Sequence, residues 1–189
     1  MQLVMCPIQQ PGQNGMPKIK NIGAPPKRGY LGPITIKGIP ILMHWSFPLG
    51  GIFIAFFLGD LSWATTIPLV LAYTTLILIH ELGHALAARM FSLDVHLLLV
   101  SAAGGWCFAE CPSSVTSKVA FYGGGIIAQL VLLAVTVIYL ILYGNPSSVF
   151  INSFVLVFTV VNVVILVVNI LPAEGTDGKK LWTMLGEHR

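Results

Sequence analysis

Residues 61–90 read LSWATTIPLVLAYTTLILIHELGHALAARM. Leu61 to Ile79 is an uncharged apolar run, and it continues directly into His80-Glu81-Leu82-Gly83-His84. The pattern reads as one helix from about Trp63 to about Met90. At 1.5 Å per residue, such a helix is longer than the roughly 30 Å hydrocarbon layer of a bilayer. Its last turns therefore place ionisable groups at or inside a membrane boundary.

The rest of the chain agrees with that solvent. Of 189 residues, 56% are hydrophobic and 9% are charged, and mean hydropathy is +0.85. A soluble domain carries about 25% charged residues. These values exclude a soluble globular protein and a disordered tail. Three cysteines, Cys6, Cys107 and Cys111, are too few for a disulfide framework. Residues 1–33 are rich in Pro, Gly, Gln and Asn and read as a mobile basic cytoplasmic leader, with residues 34–189 as the folded core. Lys18, Lys20, Lys27, Arg28 and Lys37 meet no acidic residue before Asp60. Interleaved Pro and Gly argue against a nucleic-acid arm, so no nucleic-acid partner is expected.

Three further apolar runs complete the outline. The segment 39–58 is uncharged, interrupted only by His44, and is expected to cross once. Val119 to Ala173 carries no charge, and Gly144-Asn145-Pro146-Ser147-Ser148 divides it into spans 119–143 and 149–171. Leu97 to Ala109 is uncharged but too short to cross as a helix, and it reads as an extended or re-entrant element. Ile34 to Ile36 reads as a short strand leading to the membrane. The expectation is an all-α polytopic membrane protein with about four transmembrane helices, spans 39–58, 63–90, 119–143 and 149–171, plus a short re-entrant β element. The basic leader and Lys179-Lys180 put both termini on the cytoplasmic side, and the plasma membrane is the expected location.

His80 and His84 lie four residues apart, so on a helix both imidazoles project from one face. Two ligands need that spacing to reach one Zn²⁺, and Glu81 stands where a carboxylate can take a proton from metal-bound water. Ionisable groups inside a membrane are costly, by about 2–3 kcal/mol each on insertion scales, so idle ones are rare. Zinc needs a third protein ligand. Asp94, His96, Cys107, Glu110, Cys111, Glu174, Asp177, Glu187 and His188 are available after the helix. Position favours the group after Pro172, because an antiparallel fourth span ends on the side of His84.

These residues resemble the site-2 protease family of intramembrane zinc metalloproteases, in a minimal form with no PDZ or CBS-type domain. The family marks are His-Glu-x-x-His on one span and Asn-x-x-Pro-x-x-x-x-Asp-Gly near the end of a later one. Here they stand as HELGH at 80–84 and NILPAEGTDG at 169–178. His44-Trp45-Ser46-Phe47, Ala85 to Met90 and Gly104-Gly105 also look like family text, and the resemblance covers about residues 34–185. It implies one Zn²⁺ per chain held by His80, His84 and Asp177, with Glu174 as the rival carboxylate. It further implies Glu81 as catalytic base, Asn169 as support for the substrate backbone or transition state, and Gly104 and Gly105 in a strand that receives substrate. One departure stands out. Many members carry Gly-Pro-x-x-Asn on the span after the strand, whereas this chain has Gly125-Ile126-Ile127-Ala128-Gln129.

The activity implied is hydrolysis of a peptide bond in or near the transmembrane segment of a membrane-protein substrate. The partners are that substrate and the lipid bilayer. Regulation of the kind given by PDZ or CBS domains is absent or supplied by a regulatory membrane partner. The competing class is a non-proteolytic zinc-binding membrane protein, either a transporter or a substrate-capturing pseudoprotease. A transporter would continue its polar residues across several spans, and a pseudoprotease would be expected to lack Glu81 or a ligand. Among the other polar residues, His44 reads as an interfacial or packing histidine, Asn162 as interhelical glue and Arg89 as a snorkelling cation. Cys107 and Cys111 read as ordinary small residues, and Gly123-Gly124-Gly125 as a site of close helix packing.

Overall fold

A computed structural model of the protein describes residues 29–186. The leader residues 1–28, with Cys6, and the terminal Glu187 and His188 lie outside the described residues. Three helices are long and apolar enough to cross a membrane: α2 (Trp63–Met90), α3 (Val115–Tyr143) and a segment Val149–Ile170. The last comprises α4 (Val149–Leu156), a π-helical turn (Val157–Val161) and α5 (Asn162–Ile170). Two shorter helices are α1 (Pro48–Phe57) and α6 (Asp177–Gly186).

The segment 39–58 departs from the single helix expected of it. Its first part is strand β2 (Ile39–His44), and only Pro48 to Phe57 is helical. Proline lacks an N–H and its φ suits a first helical turn, so Pro48 opens α1. On β2, Ile39 and Ile41 are buried while the residues between and after them are only partly covered, the period-2 signature of a strand. The segment still travels the length of α2. Arg89 Nη2 donates to the Lys37 carbonyl at 2.8 Å, Tyr73 Oη to the Ala102 carbonyl at 2.9 Å, and the Ala102 N–H to Ser46 Oγ at 3.4 Å. Gly51 then lies against the backbone of Val70. Residues 37–57 thus run antiparallel to α2, half as strand and half as a helix about 15 Å long. Run length alone cannot separate these two ways of crossing a layer.

The β structure is larger than the expected re-entrant element. Strands β1 (Tyr30–Ile36), β2, β3 (Val95–Ser101) and β4 (Gly104–Ala109) form one sheet in the order β1-β2-β3-β4. β1 begins at Tyr30, so residues 30–33, read as leader, belong to the sheet. β1 and β2 are antiparallel, with Ile36 opposite Ile39. β2 and β3 are parallel, with Ile41 opposite Leu98, and the α1–α2 pair makes the crossover that a parallel pair requires. β3 and β4 form an antiparallel hairpin, with Leu98 opposite Cys107. The inner face of the sheet, through Ile39, Ile41, Leu98, Val100 and Cys107, packs on Ile77, Ala85 and Ala88 of α2 and Phe121 of α3. A second core, Ala55, Leu69, Ala72, Leu76 and Val157, joins α1 to the other half of α2 and the last span.

Two contacts set the helices around the site. At the α2–α3 crossing, Gly83 meets Gly124, and a Cβ on Gly124 would lie 2.6 Å from the Gly83 carbonyl oxygen. Small residues let membrane helices approach this closely. Of the three glycines read as packing residues, Gly124 and Gly125 serve that purpose, while Gly123 faces open space. In the last span, α4 packs against α2 whereas α5 packs against α3. The π turn between them adds a residue to the helical register and shifts the packing face from one neighbour to the next.

Candidate metal centre

The approach to the centre from the C-terminal side is set by local chain chemistry. Pro172 cannot extend α5, and Leu171 ends it in an extended conformation. The Ala173 N–H bonds the Leu171 carbonyl and the Thr176 N–H the Ala173 carbonyl. Gly175 supplies a positive φ of 83°. Thr176 Oγ1 then accepts the Lys179 N–H at 3.2 Å, capping α6. Asp177, the first residue of α6, is thereby carried into the protein and is fully buried.

There it meets the α2 histidines. His80 Nε2 and His84 Nε2 are 3.0 Å apart, and each is 3.1 Å from Asp177 Oδ2. Each imidazole is held from behind. His80 Nδ1 bonds Gln129 Oε1 at 3.0 Å, and His84 Nδ1 bonds the Phe121 carbonyl at 2.7 Å. Those oxygens can only accept, so both Nδ1 atoms carry the proton and both Nε2 lone pairs face Asp177. Gly125 makes the room, since a Cβ there would lie 2.5 Å from Nε2 of both rings.

Three electron-rich atoms thus form a triangle with sides of 3.0–3.1 Å. One proton could bridge one side; a cation between all three satisfies them together. Three ligands of a tetrahedral zinc, at bonds of about 2.0–2.1 Å, sit about 3.3 Å from one another. The buried Asp177 Oδ1 and Glu81 Oε1 have no hydrogen-bond partner, which leaves acceptor capacity at the same place. Donor type, spacing and orphaned oxygens all fit zinc. His80, His84 and Asp177 are the one group of metal-ligand type among the described residues.

Other sequence candidates lie elsewhere. Glu174 is exposed and pairs with Lys179. Asp94 and Glu110 join the base of the β3–β4 hairpin, through the Asp94 N–H to Glu110 Oε2 at 3.1 Å and the Glu110 N–H to the Asp94 carbonyl. Cys107 is buried in the core under the sheet, Cys111 is half-covered, and His96 is half-buried on β3. His44 pairs with Ser46 Oγ at 2.7 Å and packs beside Tyr30 and Trp45. Asn162 Nδ2 donates to the Gln129 backbone carbonyl at 3.0 Å, tying α5 to α3.

Glu81 is almost fully buried beside the histidines, and β4 runs against it. A Cβ on Gly105 would lie 2.6 Å from Glu81 Oε1, so only glycine lets the strand approach the carboxylate this closely. β4 is an end strand of the sheet. Asn169 is buried, and its Nδ2 donates to Gln129 Oε1 at 3.3 Å. Gln129 itself is a contributor that the sequence reading left outside the site. Its signal was available: it is an amide within the charge-free run 119–143, where polar groups are costly.

No family model matches the chain, and no curated protein matches it. Among solved structures, the site-2 protease from Methanocaldococcus jannaschii is similar, with a TM-score of 0.61 over 84% of this chain and 72% of that one, at 20% identity. The chain has the fold of a site-2 protease. That likeness joins the resemblance carried by HELGH and NILPAEGTDG, and in this fold the two motifs meet in space.

Proposed function

We propose that the protein is an intramembrane zinc metalloprotease of the site-2 type. The observation that carries this reading is the buried triangle of His80 Nε2, His84 Nε2 and Asp177 Oδ2 with the Glu81 carboxylate beside it. Zinc held there supplies a Lewis acid and lowers the pKa of a water to about 7. Glu81 accepts the proton of the attacking water and returns it to the leaving amine, the role of a general base and then acid.

The substrate is a transmembrane segment, which must unwind because a helix hides its carbonyls in its own hydrogen bonds. β4 offers the alternative pairing. An extended peptide added to its open edge would pass Gly104 and Gly105, beside Glu81. Asn169, held by its hydrogen bond to Gln129, is the amide assigned to steady that peptide. Substrates with Gly, Pro or Asn near the cut are favoured, because they unwind with least loss.

Charge supports an orientation. Lys37 meets Arg89 at the end of α2 near the site, Lys118 opens α3, and Lys179 and Lys180 lie on α6. All cations among the described residues therefore sit at the site end, while the Asp60 turn and the Gly144–Ser148 turn at the other end have none. The site end then faces the cytoplasm of a cell membrane.

The direct test is cleavage of single-span proteins in liposomes, with and without a zinc chelator. Wild type should cut and Glu81→Gln should not. Turnover that survives both Glu81→Gln and the chelator would overturn the reading.

A further inference from the structure

Gln129 is fully buried on α3, among the largest side chains with no exposure. Its Oε1 accepts from two directions, His80 Nδ1 at 3.0 Å and Asn169 Nδ2 at 3.3 Å. Its Nε2 has no partner. A buried amide with part of its hydrogen-bonding capacity unmet costs free energy, so filling space is a poor account of it. Its own backbone carbonyl is held by Asn162 Nδ2, which fixes α5 against α3 at this level. One oxygen thus ties a metal-facing imidazole on α2 to an amide on α5.

We propose that Gln129 is a positioning residue of the metal centre: its side-chain oxygen holds the His80 ring with Nε2 turned inward and anchors Asn169 in the same act. The proposal rests on the zinc reading above. It assigns a part to the residue where the family resemblance breaks. The extra methylene of Gln, relative to Asn, supplies the reach from α3 to His80. Without that acceptor the His80 ring can rotate, and the protonated nitrogen is no longer fixed on the side away from Asp177. Outer partners of metal-bound histidines commonly set affinity by about 10–100-fold.

The test uses full-length protein in detergent, stripped of metal and titrated with Zn²⁺ against a chromophoric chelator. Gln129→Met keeps an unbranched side chain of similar length and removes the acceptor. Gln129→Asn keeps the amide and shortens the reach. Gln129→Glu keeps an oxygen at the same place. Zinc affinity is expected to fall by about 10–100-fold in the Met and Asn variants and to stay within several-fold of wild type in the Glu variant. The visible spectrum of the Co²⁺-loaded protein should shift in the Met variant and not in the Glu variant, a change that a packing role would not produce. If thermal unfolding shows that Gln129→Met does not fold, the Asn and Glu variants decide. Wild-type affinity and an unchanged cobalt spectrum in Gln129→Met, or equal affinity in the Asn and Glu variants, would overturn the proposal while leaving the zinc reading intact. Failure of wild type itself to take up Zn²⁺ would overturn both.

Discussion

Between Trp63 and Ile79, α2 meets its neighbours through Leu69, Ala72 and Leu76 against Ala55 and Val157. Between His80 and Met90 it meets the side chain of Gln129, the carbonyl of Phe121 and the carboxylate of Asp177. The second half is the more deeply buried, and both use glycine to bring chains close: Gly51 in the first, Gly83, Gly105, Gly124 and Gly125 in the second. The difference is what the closeness serves. In the first half it brings apolar surfaces into van der Waals contact. In the second it lets polar groups converge from three elements, with orphaned oxygens on Glu81 and Asp177 left at the centre. Stability and chemistry should therefore separate along this helix.

The largest expected effects come from the polar half. Glu81→Gln should lower cleavage by roughly 10²–10⁴-fold, the usual contribution of a positioned base, while zinc content is unchanged by elemental analysis. Asp177→Ala should lose the zinc itself. The two variants thus distinguish proton transfer from metal holding within one site.

Gly125→Ala and Gly123→Ala sharpen the contrast between neighbours on one helix. A Cβ at Gly125 enters both imidazoles, whereas at Gly123 it enters open space. Zinc affinity should fall roughly tenfold or more in the first, as misplaced ligands lose metal, and remain unchanged in the second by chelator competition. Gly105→Ala should separate the functions again. It presses on Glu81, so kcat should drop by up to about 10²-fold with zinc affinity retained.

Smaller effects belong to the apolar half. Ala72→Leu overfills a position with no exposure and should cost about 1–3 kcal/mol of stability, read by thermal unfolding, with zinc affinity unaffected. Beyond the helix start, Asp60 is exposed, and hydrogen bonds from Thr65 and Ser62 hold its carboxyl below the usual carboxylate range. A depressed folded-state pKa stabilises above the unfolded value, and that contribution disappears as pH falls through the folded value. The unfolding temperature of Asp60→Asn should therefore converge on that of wild type as pH drops below about 4.

The legible parts of the protein were those in which one residue type has one affordable explanation. His80, Glu81 and His84 in an apolar helix announce a site because membrane burial of such groups is costly, whereas Asp177 is singled out from Glu174 mainly by the family resemblance. The resemblance then paired the two motifs, and the fold brings them within 3.1 Å. The segment 39–58 was harder to read, because a run of apolar residues crosses a layer equally well as a helix or as a strand followed by a short helix. Pro40 and Pro48 were the hints in the sequence, since the alternating burial of Ile39 and Ile41 appears only in the fold. Gln129 stands out in the sequence only as a departure from the family pattern, with an amide whose reach differs from that of Asn. The cost of burial applied to it as it did to the histidines, but its partner, His80, lies 49 positions away and appears only once α2 and α3 cross.

The central claim is that His80, His84 and Asp177 share one zinc. X-ray absorption at the zinc edge of purified, active protein reads it most directly. One zinc per chain is expected, bound by two imidazole nitrogens at about 2.0–2.1 Å and a carboxylate oxygen at about 2.0–2.2 Å, with the signal lost in a His80→Ala, His84→Ala double variant. Active protein without zinc, or an undiminished zinc signal in the double variant, would contradict it.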